Sequence, residues 1–235
     1  MSAVGALAAS LGGTELAVFN ASYRVLWVAL VFTGSLAGAT GIMLSAALGA
    51  GDVADARSSI VLGTRVAGAV LGVLCLAVLA VPRLIASAFS SDPEVLALFE
   101  QSRVPLALVT FAMNAAVFLE TVPNAMGRTK EVFVAGMAGS WLGQVPMTAA
   151  ALKLRRHDLV GVYTGVAGGY ALLCALLAAV ILRTDFAQVA EEARARSEAK
   201  AVSQAAGGAG AGEEDAAGEE DAADEEDALL PGARL

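Results

Sequence analysis

Repeated apolar stretches of bilayer length constrain this chain more than any other feature. Residues 16–49, 60–82, 104–126, 132–152 and 159–182 run almost without charge. A transmembrane helix needs about 20 predominantly apolar residues. Apolar runs of this length read as transmembrane helices, whose backbone satisfies its own hydrogen bonds in hydrocarbon. The expected fold is therefore all-α: a polytopic membrane protein with about five transmembrane helices in residues 1–185. A juxtamembrane helix over 186–206 and an acidic tail over 207–235 complete the expected domain plan.

Composition supports this class, since 57% of the 235 residues are hydrophobic and only 16% are charged. The net charge of −8 is not a property of the helical part. Ten Asp or Glu and no basic residue lie between Glu213 and Asp227, which leaves the rest of the chain at about +2. That tail has too little apolar bulk to pack, so it is expected to be disordered and solvating. Its spacing lacks the EF-hand pattern. No basic surface points to nucleic acid, and membrane lipids are the expected surroundings. Cys75 and Cys174 sit inside apolar runs without partner spacing, so both read as small packing residues. His157, the only histidine, lies in the loop KLRRHD beside basic residues and reads as a solvated headgroup contact. The first thirteen residues, MSAVGALAASLGG, lack a signal-peptide pattern and resemble the end of an apolar segment whose beginning is absent.

Small residues recur at helical spacing in several spans. Gly34, Gly38, Gly41, Ser45 and Gly49 mark one face of the first span, Gly68 and Gly72 the second, Gly136, Gly139 and Gly143 the fourth, and Gly161, Gly165 and Gly169 the fifth. Such faces let helix backbones approach closely. Gly49 to Asp52 should break the first helix, and Pro82-Arg83 should end the second. Ser91 or Asp92 ahead of Pro93 should cap a short interfacial helix reaching Arg103. Pro146 lies deep in the fourth span and should kink it. Beyond Arg183, Phe186 to Lys200 should be helical, with Glu192 and Arg196 as a supporting pair. Arg24, two turns into the first span, either snorkels to the headgroups or lines a polar cavity.

The third span holds the one charge that demands a reason. Glu120 lies well inside its apolar run, and an ionisable group there is by default a functional candidate. It either looks into a cavity, where it can exchange a proton, or sits at the interface and pairs with a basic residue such as Arg128.

Several local patterns occur in one order. LGGTELAVFN, a glycine-rich helix, ALGAGDVADAR, FSSDPEVLAL and finally RTDFAQVAEEARAR together resemble the second lobe of the multidrug and toxic compound extrusion (MATE) family. Members have twelve helices in two lobes around a central cavity. The resemblance implies that the five spans correspond to the last five of the twelve, and that the first seven helices lie outside this chain. It also implies a transporter, not an enzyme: a secondary active antiporter exporting organic cations or other amphipathic compounds in exchange for protons or sodium. No cofactor beyond that coupling ion is implied. The implied partners are small amphipathic or cationic substrates and a partner lobe that completes the cavity. The implied location is the plasma membrane or an organelle membrane, with the carboxy terminus cytoplasmic; a slight excess of basic residues on that side agrees.

The family's intramembrane aspartate falls at Met113 in this chain, its arginine before the conserved-position glycine Gly127 at Asn124, and a further glycine at Thr121. Glu120 stands seven residues after Met113, two turns along nearly the same face, and is the candidate for proton or cation coupling. Asn114, beside that position, and Asn20, at the glutamine of the family's first-span motif, are candidates with Met113 for lining the substrate cavity. Two other readings fit the same residues: a membrane scaffold subunit or truncated gene product that does not transport, and a flippase of lipid-linked substrates from the same superfamily.

Overall fold

A computed structural model describes residues 12–154 and 158–199. The amino-terminal eleven residues, His157 with its two basic neighbours, and the acidic tail lie outside the described residues. The chain begins with α1 (Gly13–Ala50), which at 38 residues is about 57 Å long and exceeds the hydrocarbon core of about 30 Å. A glycine corner ends it. Gly51 has φ 78°, its N–H bonds Leu48 O at 3.0 Å, and the Asp52 N–H bonds Ala47 O at 2.9 Å. This is a Schellman closure, and only glycine takes the left-handed position without strain. Asp52 then starts α2 (Val53–Ala80) by accepting the Asp55 N–H at 2.9 Å.

Two short helices turn the chain at the opposite end of the bundle. Pro82 does more than stop α2: it opens α3 (Pro82–Ser87) at the position where a missing N–H costs nothing. The Asp92 side chain accepts the Glu94 N–H at 2.9 Å and, with Pro93, starts α4 (Pro93–Gln101). Next comes α5 (Arg103–Ala125), which contains Glu120. The second corner repeats the first: Gly127 has φ 81°, its N–H reaches Asn124 O at 3.0 Å, and the Arg128 N–H reaches Pro123 O at 2.9 Å.

The fourth apolar stretch is helical throughout, but it is not one α-helix. It divides into α6 (Thr129–Ala138), a π-helical turn (Gly139–Gln144) and α7 (Val145–Leu154). Among the described residues four helices are continuous, long and apolar enough to cross a membrane: α1, α2, α5 and α8. Pro146 supplies the physical reason for the interruption. It has no N–H to offer Leu142, and the Val145 N–H instead reaches five residues back to Ser140 O. Asp158 caps α8 (Leu159–Arg183) through the Gly161 N–H at 2.7 Å, and residues 186–199 form α9.

Helices α1, α5 and α8 run in one direction and α2 in the other, and α5 packs along α8, α1 and α2. Half of the most apolar window of α5 is buried, against 11% for α2, so α5 is the core and α2 the periphery. One apolar cluster at the α3–α4 end joins Val18, Leu26, Val78, Phe99, Leu106 and Tyr163. Another at the glycine-corner end joins Leu44, Leu48, Ala56, Val122, Met126 and Val189.

The small-residue faces have unequal fates. On α8, a side chain at Gly165 would strike the Thr148 backbone, and one at Gly169 would strike Gln144. Those glycines let α7 and the π turn lie against α8. By contrast, a Cβ at Gly68, Gly72, Gly34 or Gly38 meets nothing within 4 Å, so these do not serve packing among the described residues. The expected Glu192–Arg196 carboxylate pair also does not form. Glu192 Oε1 accepts from Gln188 at 3.0 Å, while Arg196 Nε donates to the Glu192 backbone carbonyl at 3.2 Å and its Nη2 reaches the second glycine corner.

Candidate functional site

Glu120 lines a cleft of about 590 Å³ between the second half of α5 and the wall formed by α6, the π turn and α8. Asn124 of α5, Thr129 of α6, Ser140 and Gln144 of the π turn, and Tyr170 of α8 supply its other polar atoms. Ala116, Val132, Phe133 and Leu173 make its apolar lining. The composition matches a small-ligand site: mostly apolar, with a few polar groups and one ionisable group.

Each contribution has a local cause. Glu120 is half-buried on α5, and among the described residues no hydrogen bond or ion pair engages its carboxylate. Arg128, the basic residue that could have neutralised it, is held by Glu131 at 3.2 Å. The opposite wall approaches through a glycine: a Cβ on Gly136 would stand 4.0 Å from Glu120 Oε1. Ser140 and Gln144 lie four residues apart, and the π turn between Gly139 and Val145 sets their direction. A regular helix gives about 100° per residue, and one extra residue in a turn rotates everything on one side of it by a comparable angle. Tyr170 belongs to the same apolar cluster as Leu173 and Leu177.

The other sequence candidates lie elsewhere. Asn114 is fully buried on α5, its Nδ2 donating to Thr110 O at 2.8 Å, while its Oδ1 has no partner among the described residues. Met113 packs partly buried against the cluster at the α3–α4 end. Asn20 is exposed and borders a separate pocket of about 330 Å³ with Arg24, Phe89 and Ser90. Of the four candidates only Glu120 reaches the large cleft. Sequence reasoning missed Ser140, Gln144 and Tyr170. The signal available for the first two was Pro146, whose effect on the preceding turn fixes where they point.

An all-helical bundle of bilayer-length helices with a carboxylate-lined cleft defines a polytopic membrane protein with an internal polar site. Residues 2–152 match the MatE family model, and the chain belongs to that family. It is 22% identical over 196 residues to multidrug and toxin extrusion protein 1 of Oryctolagus cuniculus, a match covering 81% of this chain and 34% of that protein. The fold is similar to the crystal structure of the eukaryotic MATE transporter AtDTX14, with a TM-score of 0.73 and 20% identity over 78% of this chain and 41% of that one. The chain thus spans about a third of the length of the curated relative it matches.

Proposed function

We propose that this chain is one lobe of a secondary active antiporter that exports organic cations or other amphipathic compounds in exchange for protons or sodium, with Glu120 as the coupling group. The observation that carries this reading is the Glu120 carboxylate, unpaired among the described residues, on the wall of the cleft between α5 and the α6, π-turn and α8 wall. An ionisable side chain without a counter-ion inside a membrane helix is costly, and its upkeep is explained if it binds a cation in turn. When a proton or sodium occupies the carboxylate, the cleft loses its negative charge and its hold on a cationic substrate. When the carboxylate is free, the substrate takes that place. Exclusive occupancy of one group by either cation is the minimum requirement for exchange.

Transport needs two access states, and the second wall of a central cavity comes from a partner lobe. Phe133 and Tyr170 give the cleft aromatic surface suited to an amphipathic cation. The test is Glu120→Gln in the protein reconstituted with the lobe that completes the cavity. Substrate efflux driven by a pH gradient should fall to background, while insertion and folding are unchanged. Unaltered efflux would remove Glu120 from coupling. A scaffold would show no efflux in either form, and a flippase would move lipid-linked headgroups but not cations.

A further inference from the structure

The cleft is joined at one end by a single hinge, and that hinge is held from outside. Its α5 wall passes into its α6 wall through Met126, Gly127 and Arg128, so a change in the angle between these two helices acts on that corner. The Schellman closure uses the carbonyls of Pro123 and Asn124, which leaves those of Ala125 and Met126 at the helix end without helical partners. Ala125 O accepts from Ser45 Oγ of α1 at 3.5 Å. Met126 O accepts from Arg196 Nη2 of α9 at 3.5 Å. The Arg196 guanidinium also fills the space where a side chain on Gly127 would stand.

Helix α9 is well placed for this. After α8 ends, Asp185 accepts the Ala187 N–H at 2.9 Å and starts the new helix, which folds back across the glycine-corner end of the bundle. Val189 and Ala190 are buried among Leu44, Leu48, Ala56, Val122 and Met126. The Arg57 guanidinium stacks 5.3 Å from the Phe186 ring, and Ser197 Oγ lies 3.5 Å from the Cβ position of Gly49. One helix therefore touches both glycine corners and the ends of α1, α2 and α5.

We infer that α9 is a strap across the cleft's hinge, with Arg196 as the positioning residue: while Arg196 holds the Met126 carbonyl the α5 and α6 walls stay close, and its release lets them separate. The structural part of this inference stands without the transport reading; only its consequence, control of access to Glu120, rests on that reading.

Amide hydrogen exchange of the whole chain in lipid nanodiscs tests it without any transport assay, so it can fail independently of the Glu120→Gln experiment. Arg196→Ala should speed exchange across residues 120–144 about fivefold, leave residues 53–80 unchanged, and be partly rescued in Arg196→Lys, which keeps one donor. Faster exchange confined to residues 186–199 would overturn the inference. Should Arg196→Ala not fold, the pair Gly49→Cys with Ser197→Cys offers the opposite perturbation. Oxidation should tie the strap down and slow exchange at residues 120–144 relative to the reduced form, and equal exchange in the two forms would overturn the inference.

Discussion

At the scale of single residues, the polar groups of α5 divide by what they touch. Glu120 opens on the cleft with no counter-ion among the described residues, whereas Asn114 is enclosed and spends its amide on Thr110 O. Replacing Asn114 with Leu removes a buried, partly unsatisfied group at similar volume, a change that is often neutral or stabilising. Transport should be unaffected and resistance to unfolding in detergent should hold or rise; loss of transport with normal folding would put Asn114 back in the cavity. Glycines divide in the same way. Gly169→Leu drives a side chain into Gln144 and should cost about 1–3 kcal/mol, the usual range for overpacking. Gly68→Leu points into open space and should change stability by no more than about 0.5 kcal/mol. Reversible unfolding of the two variants in mixed micelles checks the contrast, and a large loss for Gly68→Leu would show that another helix covers that face. From sequence alone both glycines look alike, because small-residue spacing reports that a helix can be approached and not which neighbour arrives.

Among the elements, the interrupted fourth stretch matters most. Its apolar length was legible, and so was a disturbance at Pro146, because proline removes a backbone donor wherever it sits. The form of the disturbance was not legible: whether a proline kinks, breaks or widens a helix depends on what the freed carbonyls find nearby, and here the π turn is wedged between Gly169 and Leu173 of α8. The widened turn brings Ser140 and Gln144 to the cleft. Pro146→Ala restores the missing N–H and should let the turn relax toward a regular helix, swinging one or both side chains aside. In a background with Cys75→Ala and Cys174→Ala, a cysteine placed by Ser140→Cys or Gln144→Cys should then react about tenfold more slowly with a charged thiol reagent, a loss of accessibility worth about 1.4 kcal/mol. Equal rates at both positions would mean that Pro146 does not set the π turn. The tail helix teaches the same lesson: helical composition pointed to a helix from Phe186 to Lys200, and the described residues 186–199 are helical, but Arg196 serves a carbonyl seventy positions away in sequence, beyond the reach of i,i+4 reasoning.

For the whole molecule, the succession of motifs and bilayer-length runs carried the family and the all-helical class, since both rest on periodicity and order along the chain. The cleft needed α8 brought against the consecutive α5, α6 and π turn and so emerged only in the folded bundle. If that cleft is the transport site, Glu120 must meet water and substrate from within the membrane domain. The direct measurement is Glu120→Cys in the Cys75→Ala, Cys174→Ala background, within the assembled transporter, probed with a charged thiol reagent in the presence and absence of a lipophilic organic cation such as tetraphenylphosphonium. The expected result is ready modification that the cation suppresses in proportion to its occupancy. A residue at position 120 that never reacts, or reacts at the same rate with saturating cation present, would contradict the cleft as the site where substrate and coupling ion compete.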